Sequence, residues 1–168
     1  GRAVAKRAIA FEMKVLAFDP YITADVAADL GVELVSLNDL FTRADFITLH
    51  ALLTDETREM VNAASLATMK KGVRIVDAAR GALINEADLA AAIKSGHVAG
   101  AALDVFAQEP PPPDNPLVGL PGVVHTPHLA ASTDDAQIVV AVEAAQLVVD
   151  ALTTGQYRNV VNPAVLSK

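Results

Sequence analysis

Two of the four histidines in the chain, His125 and His128, lie within residues 123–133, VVHTPHLAAST. Apolar residues precede the pair, and a Ser-Thr-Asp helix start follows it. A neutral imidazole takes up a proton near neutral pH and its conjugate acid returns it, so a histidine where a strand ends is a candidate acid/base. A loop histidine can equally be solvated or hold a turn, which is how we interpret His125 and His97, while His50 is left open. For His128 the pattern alone leaves both interpretations open.

Other ionisable side chains close apolar runs elsewhere in the chain. Asp19 ends KVLAF, Arg80 follows VRIVDAA, and Asp104 follows AGAAL with Glu109 soon after. An arginine fork can grip a carboxylate bidentately. An acid after a strand can hold a ribose diol when a glycine-rich loop precedes it. Each residue also has a structural interpretation, as a turn residue, a solvated arginine or a surface acid.

Composition limits the classes of protein to which these residues can belong. The chain has 168 residues, 52% of them hydrophobic but only 4% aromatic, which predicts one domain with an aliphatic core. A formal net charge of -7 with no basic run argues against nucleic acid and anionic membranes as partners. Without cysteine there is no disulfide or thiolate ligand, and we predict no metal site. The apolar runs are too short to span a bilayer, so a soluble, cytoplasmic protein is expected.

The elements that must position these residues alternate between two periods. Short apolar runs of strand length occur at KVLAF, FITLH, VRIVDA, VAGAALDVF and GVVHT, and most are separated by helical segments. Strands of this kind, alternating with helices, predict an α/β fold: a Rossmann-like, doubly wound parallel sheet with helices on both faces. Ligands of such sheets bind outside the carboxyl ends of the strands, where the ionisable residues are predicted to meet.

Helix start and stop residues sharpen this outline. Ser36 and Asp39 have the spacing of a capping box, and Asn85 with Gly96 brackets a second helix. A long amphipathic helix is predicted to start near Ser132 and to stop at Gly155. The proline-rich stretch EPPPPDNPLVGLPG cannot be helical and is expected to cross the surface.

Three segments together resemble a known family. VDAARGALINEADLAAAI, GAALDVFAQEPPP and HTPHLAAST occur in the order and spacing of the NAD-dependent D-2-hydroxyacid dehydrogenases, and the chain is most similar to the phosphoglycerate-oxidising branch. The resemblance implies that residues 1–131 are an NAD-binding domain incomplete at its N-terminus, lacking its first strand. Residues 132–168 are then a long helix and tail, NVVNPAVL, returning toward an absent substrate domain. The chain alone is expected to be inactive.

The resemblance also implies roles for individual residues. Gly1 is the last glycine of the phosphate loop, Asp19 binds the adenosine ribose, and Asp104 holds the nicotinamide carboxamide. Arg80 orients the substrate, and His128 is the acid/base with Glu109 as its partner. Arg80 and His128 are also implied to contact the cofactor, and the remaining implied cofactor contacts are Ala51, Ala78, Ala79, Ala130 and Ala131.

The implied reaction is hydride transfer between NAD and a 2-hydroxy acid, with 3-phosphoglycerate, the precursor of serine synthesis, as the leading substrate. A base must take the hydroxyl proton, and an arginine can stabilise the oxygen that gains charge. Alternatives are a glyoxylate or hydroxypyruvate reductase, and a dinucleotide-sensing protein of the corepressor type. A homodimer or higher homo-oligomer is expected by resemblance.

The chain departs from the family pattern at three places. Asp77 stands where asparagine is frequent, and Ala130 stands where glycine is usual after the histidine. The segment HALLT lacks a proline that is common there. None of these departures removes a catalytic group.

Overall fold

Helices and strands alternate along the chain in the computed structural model, which describes residues 1–162 and 164. The elements are α1 (Arg2–Ala10), β1 (Leu16–Ala17), α2 (Ala24–Asp29), β2 (Glu33–Leu34), α3 (Leu37–Arg43), β3 (Phe46–Leu49), α4 (Ala63–Thr68), β4 (Val73–Asp77), α5 (Glu86–Lys94), β5 (Val98–Leu103), β6 (Val123–His125) and α6 (Asp134–Thr154). The predicted tail at 159–166 lies partly outside the described residues.

All the strand pairs are parallel, which confirms the predicted fold class. β1 pairs with β2, and a four-stranded sheet has the order β3-β4-β5-β6. Ile75 of β4 lies opposite Ile47 of β3 and Ala101 of β5. Because the strands run in the same direction, the carboxyl ends of β3 to β6 share one edge of the sheet.

The core lies on one face of the four-stranded sheet. Residues of β4 alternate between buried and exposed, with Val73 and Ile75 packed against helices and Arg74 and Val76 on the opposite face. The buried cluster is aliphatic apart from Phe41 and Phe106, as the composition predicts.

Three of the helix caps follow the sequence, and one differs in detail. Asn85 accepts the N–H of Asp88 at 3.1 Å, and Gly96 and Gly155 stop their helices at φ 72° and 69°. The Ser36 hydroxyl caps α3 but donates to the Asp39 carboxylate at 2.7 Å, so the predicted reciprocal capping box is half formed.

The chain divides into two compact units, Gly1–Pro127 and His128–Lys168. In the second unit α6 is capped by Thr133, one residue after the predicted start, and none of its side chains is buried. With 21 residues and a mean hydropathy of 1.5, α6 is long and apolar enough to cross a membrane by length and composition alone. This differs from the expectation drawn from the length of the apolar runs. Core helices of soluble proteins can meet the same criterion.

Candidate functional site

Predicted site residues of the first unit gather at the carboxyl edge of the four-stranded sheet. His50 follows β3, Arg80 lies three residues after β4, and Asp104 follows β5 directly. The N–H of Asp104 donates to the carbonyl of Asp77 at 2.8 Å, which continues the pairing of β4 and β5 past the strands. The predicted convergence of these strand ends is therefore present.

A tight turn carries Arg80 away from β4. The Asp77 carboxylate accepts the N–H of Ala79 through Oδ1 at 2.8 Å, a local bond that fixes the turn. Arg80 is exposed, and its Nη1 donates to the Ala79 carbonyl at 2.6 Å. The guanidinium is therefore accessible to an anion from solvent.

Gly81 brings the arginine turn against the loop that follows β5. A Cβ built on Gly81 would lie 2.0 Å from the carbonyl carbon of Phe106, so only glycine permits this approach. Glu109 also contacts Phe106, because its Oε1 accepts the N–H of Phe106 at 3.1 Å. This contact, the Gly81–Phe106 clamp, joins the segments that carry Arg80 and Glu109.

Glu86 anchors the proline-rich connection, a role that sequence reasoning missed. Its carboxylate accepts the N–H of Ala107 at 2.8 Å and the Nδ2 of Asn115 at 2.7 Å. Asn115, 7% exposed, also accepts the N–H of Leu117 at 3.0 Å. A buried asparagine needs polar partners, but the sequence alone does not show that Asn115 is buried. The connection is thus held just before its start, at Ala107, and in its middle, at Asn115.

The ends of β5 and β6 are tied by side chains. The Thr126 hydroxyl donates to Oδ1 of Asp104. An open depression of about 140 Å³ lies here, lined by Val76, Asp77, Ala78, Ala102, Leu103, Asp104, Val124, His125 and Thr126. Ligand pockets usually hold about 300–1,000 Å³, so the depression fits part of a ligand.

The predicted ribose and phosphate residues lie elsewhere in the same unit. Asp19 is exposed after β1 and accepts the N–H of Tyr21 at 2.9 Å, as its turn interpretation expects. Gly1 precedes α1, and a Cβ built on it would lie 3.7 Å from that of His50. Ala51, half-buried, packs against the core.

The remaining predicted site residues open the second unit. His128 is exposed and has φ 56°, in the left-handed region that non-glycine residues seldom adopt. Ala130 and Ala131 follow in an exposed turn, and the Ala131 carbonyl accepts Nε2 of Gln137 at 3.2 Å. Strained backbone is common at functional positions, which makes His128 notable.

The other histidines have structural contacts. His97 donates through Nε2 to the Leu66 carbonyl at 2.8 Å. The ring of His125 meets Phe106 edge-on, with 5.9 Å between centroids. His50 bonds to the Thr48 hydroxyl at 3.1 Å.

Comparison with known proteins decides the family. Residues 1–130 match the family described as D-isomer specific 2-hydroxyacid dehydrogenase, NAD binding domain. The chain belongs to this family. The predicted resemblance and the predicted NAD cofactor are thereby confirmed.

Curated relatives named D-3-phosphoglycerate dehydrogenase match most of the chain. The relative from Archaeoglobus fulgidus is 47% identical over 162 residues, which cover 96% of this chain and 31% of the relative. That from Mycobacterium tuberculosis strain H37Rv is 54% identical over 137 residues, or 82% and 26%. The chain therefore spans about a third or less of the length of these relatives.

Solved structures of the same class share the fold. A glyoxylate reductase from Paecilomyes thermophila matches with a TM-score of 0.87 and 34% identity over 94% of this chain and 48% of that one. A D-lactate dehydrogenase from Aquifex aeolicus, solved with NAD and lactic acid, matches with a TM-score of 0.82 and 32% identity over 92% and 50%.

One residue of this dehydrogenase domain is electrostatically unusual. Asp77 is 1% exposed, and its burial raises the pKa of the carboxyl to about 6, against the opposing effect of the Ala79 and Arg80 N–H groups. The folded protein therefore holds the Asp77 proton more tightly than the unfolded chain does. The contribution of Asp77 to folding stability is then greatest below about pH 4 and falls as pH rises toward about 6.

We expect Asp77→Asn to remove this loss of stability. A pKa raised from 3.8 to about 6 corresponds to about 3 kcal/mol between the two ends of that pH range. The variant should unfold at higher denaturant concentration than the parent above about pH 6 and at a similar one near pH 4. Asp45→Asn, an exposed carboxylate paired with Lys70 at 2.9 Å, is the control. If the unfolding free energy of Asp77→Asn fell with pH as steeply as that of the parent, the raised pKa of Asp77 would be contradicted.

Proposed function

We propose that the protein is an NAD-dependent D-2-hydroxyacid dehydrogenase. Its leading reaction is the oxidation of 3-phosphoglycerate to 3-phosphohydroxypyruvate, the chemistry that opens serine biosynthesis. The relatives at 47% and 54% identity carry the name of that activity and match most of this chain. The substrate is a proposal because the match spans a minor part of each relative.

The Gly81–Phe106 clamp is the observation that carries this proposal. It joins the turn of Arg80, which can bind a carboxylate, to the segment of Glu109, which can partner a histidine. Both segments lie beside strand ends where an α/β sheet binds its ligand.

The carboxyl edge also fits the cofactor. Asp19, exposed after β1, can accept the two hydroxyls of a ribose. Asp104, oriented by Thr126 at the depression, can accept the N–H of a carboxamide. Gly1 precedes α1, whose N-terminus favours a phosphate, and the remaining proposed contacts are Ala51, Ala78, Ala79, Ala130 and Ala131. When bound, NAD supplies the acceptor for the hydride of the substrate.

The chain's own residues handle the substrate and its proton. Arg80 binds the carboxylate of the hydroxy acid and orients its carbinol carbon. His128 takes the hydroxyl proton during oxidation and returns it during reduction. Glu109 is the proposed carboxylate partner that stabilises the imidazolium.

We further propose a domain organisation, an oligomeric state and a cellular location for the protein. Residues 1–131 form the NAD-binding domain, and 132–168 form the helix and tail of the second segment. The many exposed apolar side chains of α6, such as Ile138, Val142 and Leu152, support a homodimer or higher homo-oligomer. The proposed location is the cytoplasm, where a dissociable nicotinamide can exchange with a soluble pool.

The test follows the nicotinamide absorbance of the full-length protein. NADH formation is measured with 3-phosphoglycerate, and NADH loss is measured with glyoxylate and hydroxypyruvate. We expect turnover of the phosphorylated acid. Tight NADH binding without turnover of any of these three substrates would favour the corepressor-type alternative and contradict the enzyme proposal.

A second candidate is a glyoxylate or hydroxypyruvate reductase. The TM-score of 0.87 with a glyoxylate reductase favours it, although the identity of 34% is lower than that of the phosphoglycerate relatives. Turnover restricted to the small oxo acids in the same assay would select this candidate.

Asp19 should decide which dinucleotide is used. Its charge repels the 2′-phosphate of NADP, so Asp19→Asn is expected to lower the ratio of kcat/KM for NAD over NADP by about tenfold or more, corresponding to ~1.4 kcal/mol. Asp25→Asn removes a carboxylate from the first turn of α2 and serves as the control. An unchanged ratio in Asp19→Asn would refute the ribose assignment.

A further inference from the structure

Asp77 combines burial with an unused oxygen at the proposed cofactor edge. The residue is 1% exposed, and Oδ1 accepts the N–H of Ala79 at 2.8 Å. Within the part of the chain that the structure describes, Oδ2 has no hydrogen-bond partner. Asp77 also lines the strand-end depression beside Asp104 and Thr126. A buried carboxyl with a free oxygen is costly to keep, which suggests a role beyond the turn.

We propose that Asp77 sets the preference of this site for oxidised over reduced nicotinamide through the negative charge of its carboxylate. The inference rests on the proposed function, which places the nicotinamide ring at the depression. The ring is cationic in NAD⁺ and neutral in NADH, since the hydride that leaves the substrate carbon brings an electron pair. An anion lining the depression therefore attracts the oxidised ring and leaves the reduced one almost unaffected.

The expected size of this preference follows from Coulomb's law. At an effective dielectric constant of about 20, two unit charges about 12 Å apart interact by an amount equivalent to a tenfold change in affinity. A nicotinamide ring bound in the depression that Asp77 lines lies within about 12 Å of the Asp77 carboxylate. We therefore expect a change of tenfold or more in the affinity for NAD⁺ relative to NADH.

The charge on Asp77 depends on pH. Burial raises the pKa of its carboxyl to about 6, so the carboxyl is largely ionised above that pH and largely neutral below it. An asparagine at this position would be neutral throughout. The preference for NAD⁺ should therefore strengthen as pH rises through about 6, in step with ionisation of Asp77.

Other ionisable groups share this edge and must be separated from Asp77. His50 follows β3, Arg80 lies after β4, Asp104 follows β5 and His125 ends β6. Each is retained in Asp77→Asn, so any pH dependence that these groups cause persists in the variant. The difference between parent and variant isolates the contribution of Asp77.

The test measures binding rather than turnover. Dissociation constants of NADH, by its fluorescence, and of NAD⁺, by competition, are determined for the full-length protein from about pH 5 to about pH 8. The ratio of the NADH constant to the NAD⁺ constant should rise about tenfold in the parent with a midpoint near pH 6. It should stay nearly flat in Asp77→Asn and behave as in the parent in Asp45→Asn, which removes a charge before β3 at the opposite edge.

The outcomes are distinguishable from one another. A ratio that is flat in the parent, or that titrates equally in Asp77→Asn, overturns the role of Asp77 while leaving the dehydrogenase proposal intact. Failure of the parent to bind either dinucleotide overturns the proposed function itself. Because a flat ratio in the parent overturns the role of Asp77 by itself, this outcome does not depend on the variant folding.

Discussion

Replacing His128 by asparagine in the full-length protein should lower kcat by about 10²–10⁴-fold, the usual contribution of a positioned acid/base. Asparagine is chosen because His128 has φ 56°, a conformation that asparagine tolerates better than alanine does. The backbone should keep its path while the proton carrier is lost. Steady-state turnover with 3-phosphoglycerate measures the effect.

The affinity for NADH separates this role from damage to the fold. The dissociation constant of NADH should change by no more than about twofold, because the imidazole acts on the substrate hydroxyl. His97→Asn is the matched control, since its half-buried ring bonds to the Leu66 carbonyl at 2.8 Å and the substitution should leave turnover per folded molecule unchanged. A His128→Asn variant that keeps most of its rate would show that another group carries the proton.

Periodicity predicted most of the strands and several helices because these segments are long or sharply capped. The five predicted strands are all present, although β1 is reduced to Leu16–Ala17. Strand β2 was missed because Glu33–Leu34 is only two residues long and its pairing with β1 is a non-local contact. The short helix α4 was not predicted, because six residues give little periodicity. Asn62 nevertheless caps α4 with a full capping box.

The convergence of the strand ends was predictable from the sequence, but the contacts among their side chains were not. Residue types at strand ends pointed to Arg80, Asp104 and Glu109, since parallel strands bring their carboxyl ends together. Sequence patterns could not show that Glu86 reaches across 29 residues to Asn115. Nor could they show that Asp77 is buried, because its position at a strand end is compatible with exposure.

The capping interpretations illustrate the same limit. The spacing of Ser36 and Asp39 indicates a helix start, and α3 begins there. Which donor the Asp39 carboxylate binds depends on side-chain rotamers that spacing does not determine. In the structure it accepts from the Ser36 hydroxyl, and not from the backbone N–H that a reciprocal box would use.

Gly81→Ala should be among the most destabilising single substitutions in the chain. The added methyl would lie 2.0 Å from the carbonyl carbon and 2.4 Å from the Cα of Phe106, so the backbone itself must move. We expect a loss of about 4 kcal/mol or more in unfolding free energy, at the upper end of single-residue effects. Chemical denaturation of parent and variant measures it.

The comparison with Gly119→Ala tests the steric argument. Gly119 has φ 73° but nothing within 4 Å of a built Cβ, so alanine there should cost only the backbone term of about 1–2 kcal/mol. Equal losses at the two positions would mean that the Gly81–Phe106 clamp is not closely packed. If the clamp is real, any Gly81→Ala protein that still folds should also lose substrate affinity, because separating the turn of Arg80 from the segment of Glu109 disrupts the pair of groups that the proposed reaction needs.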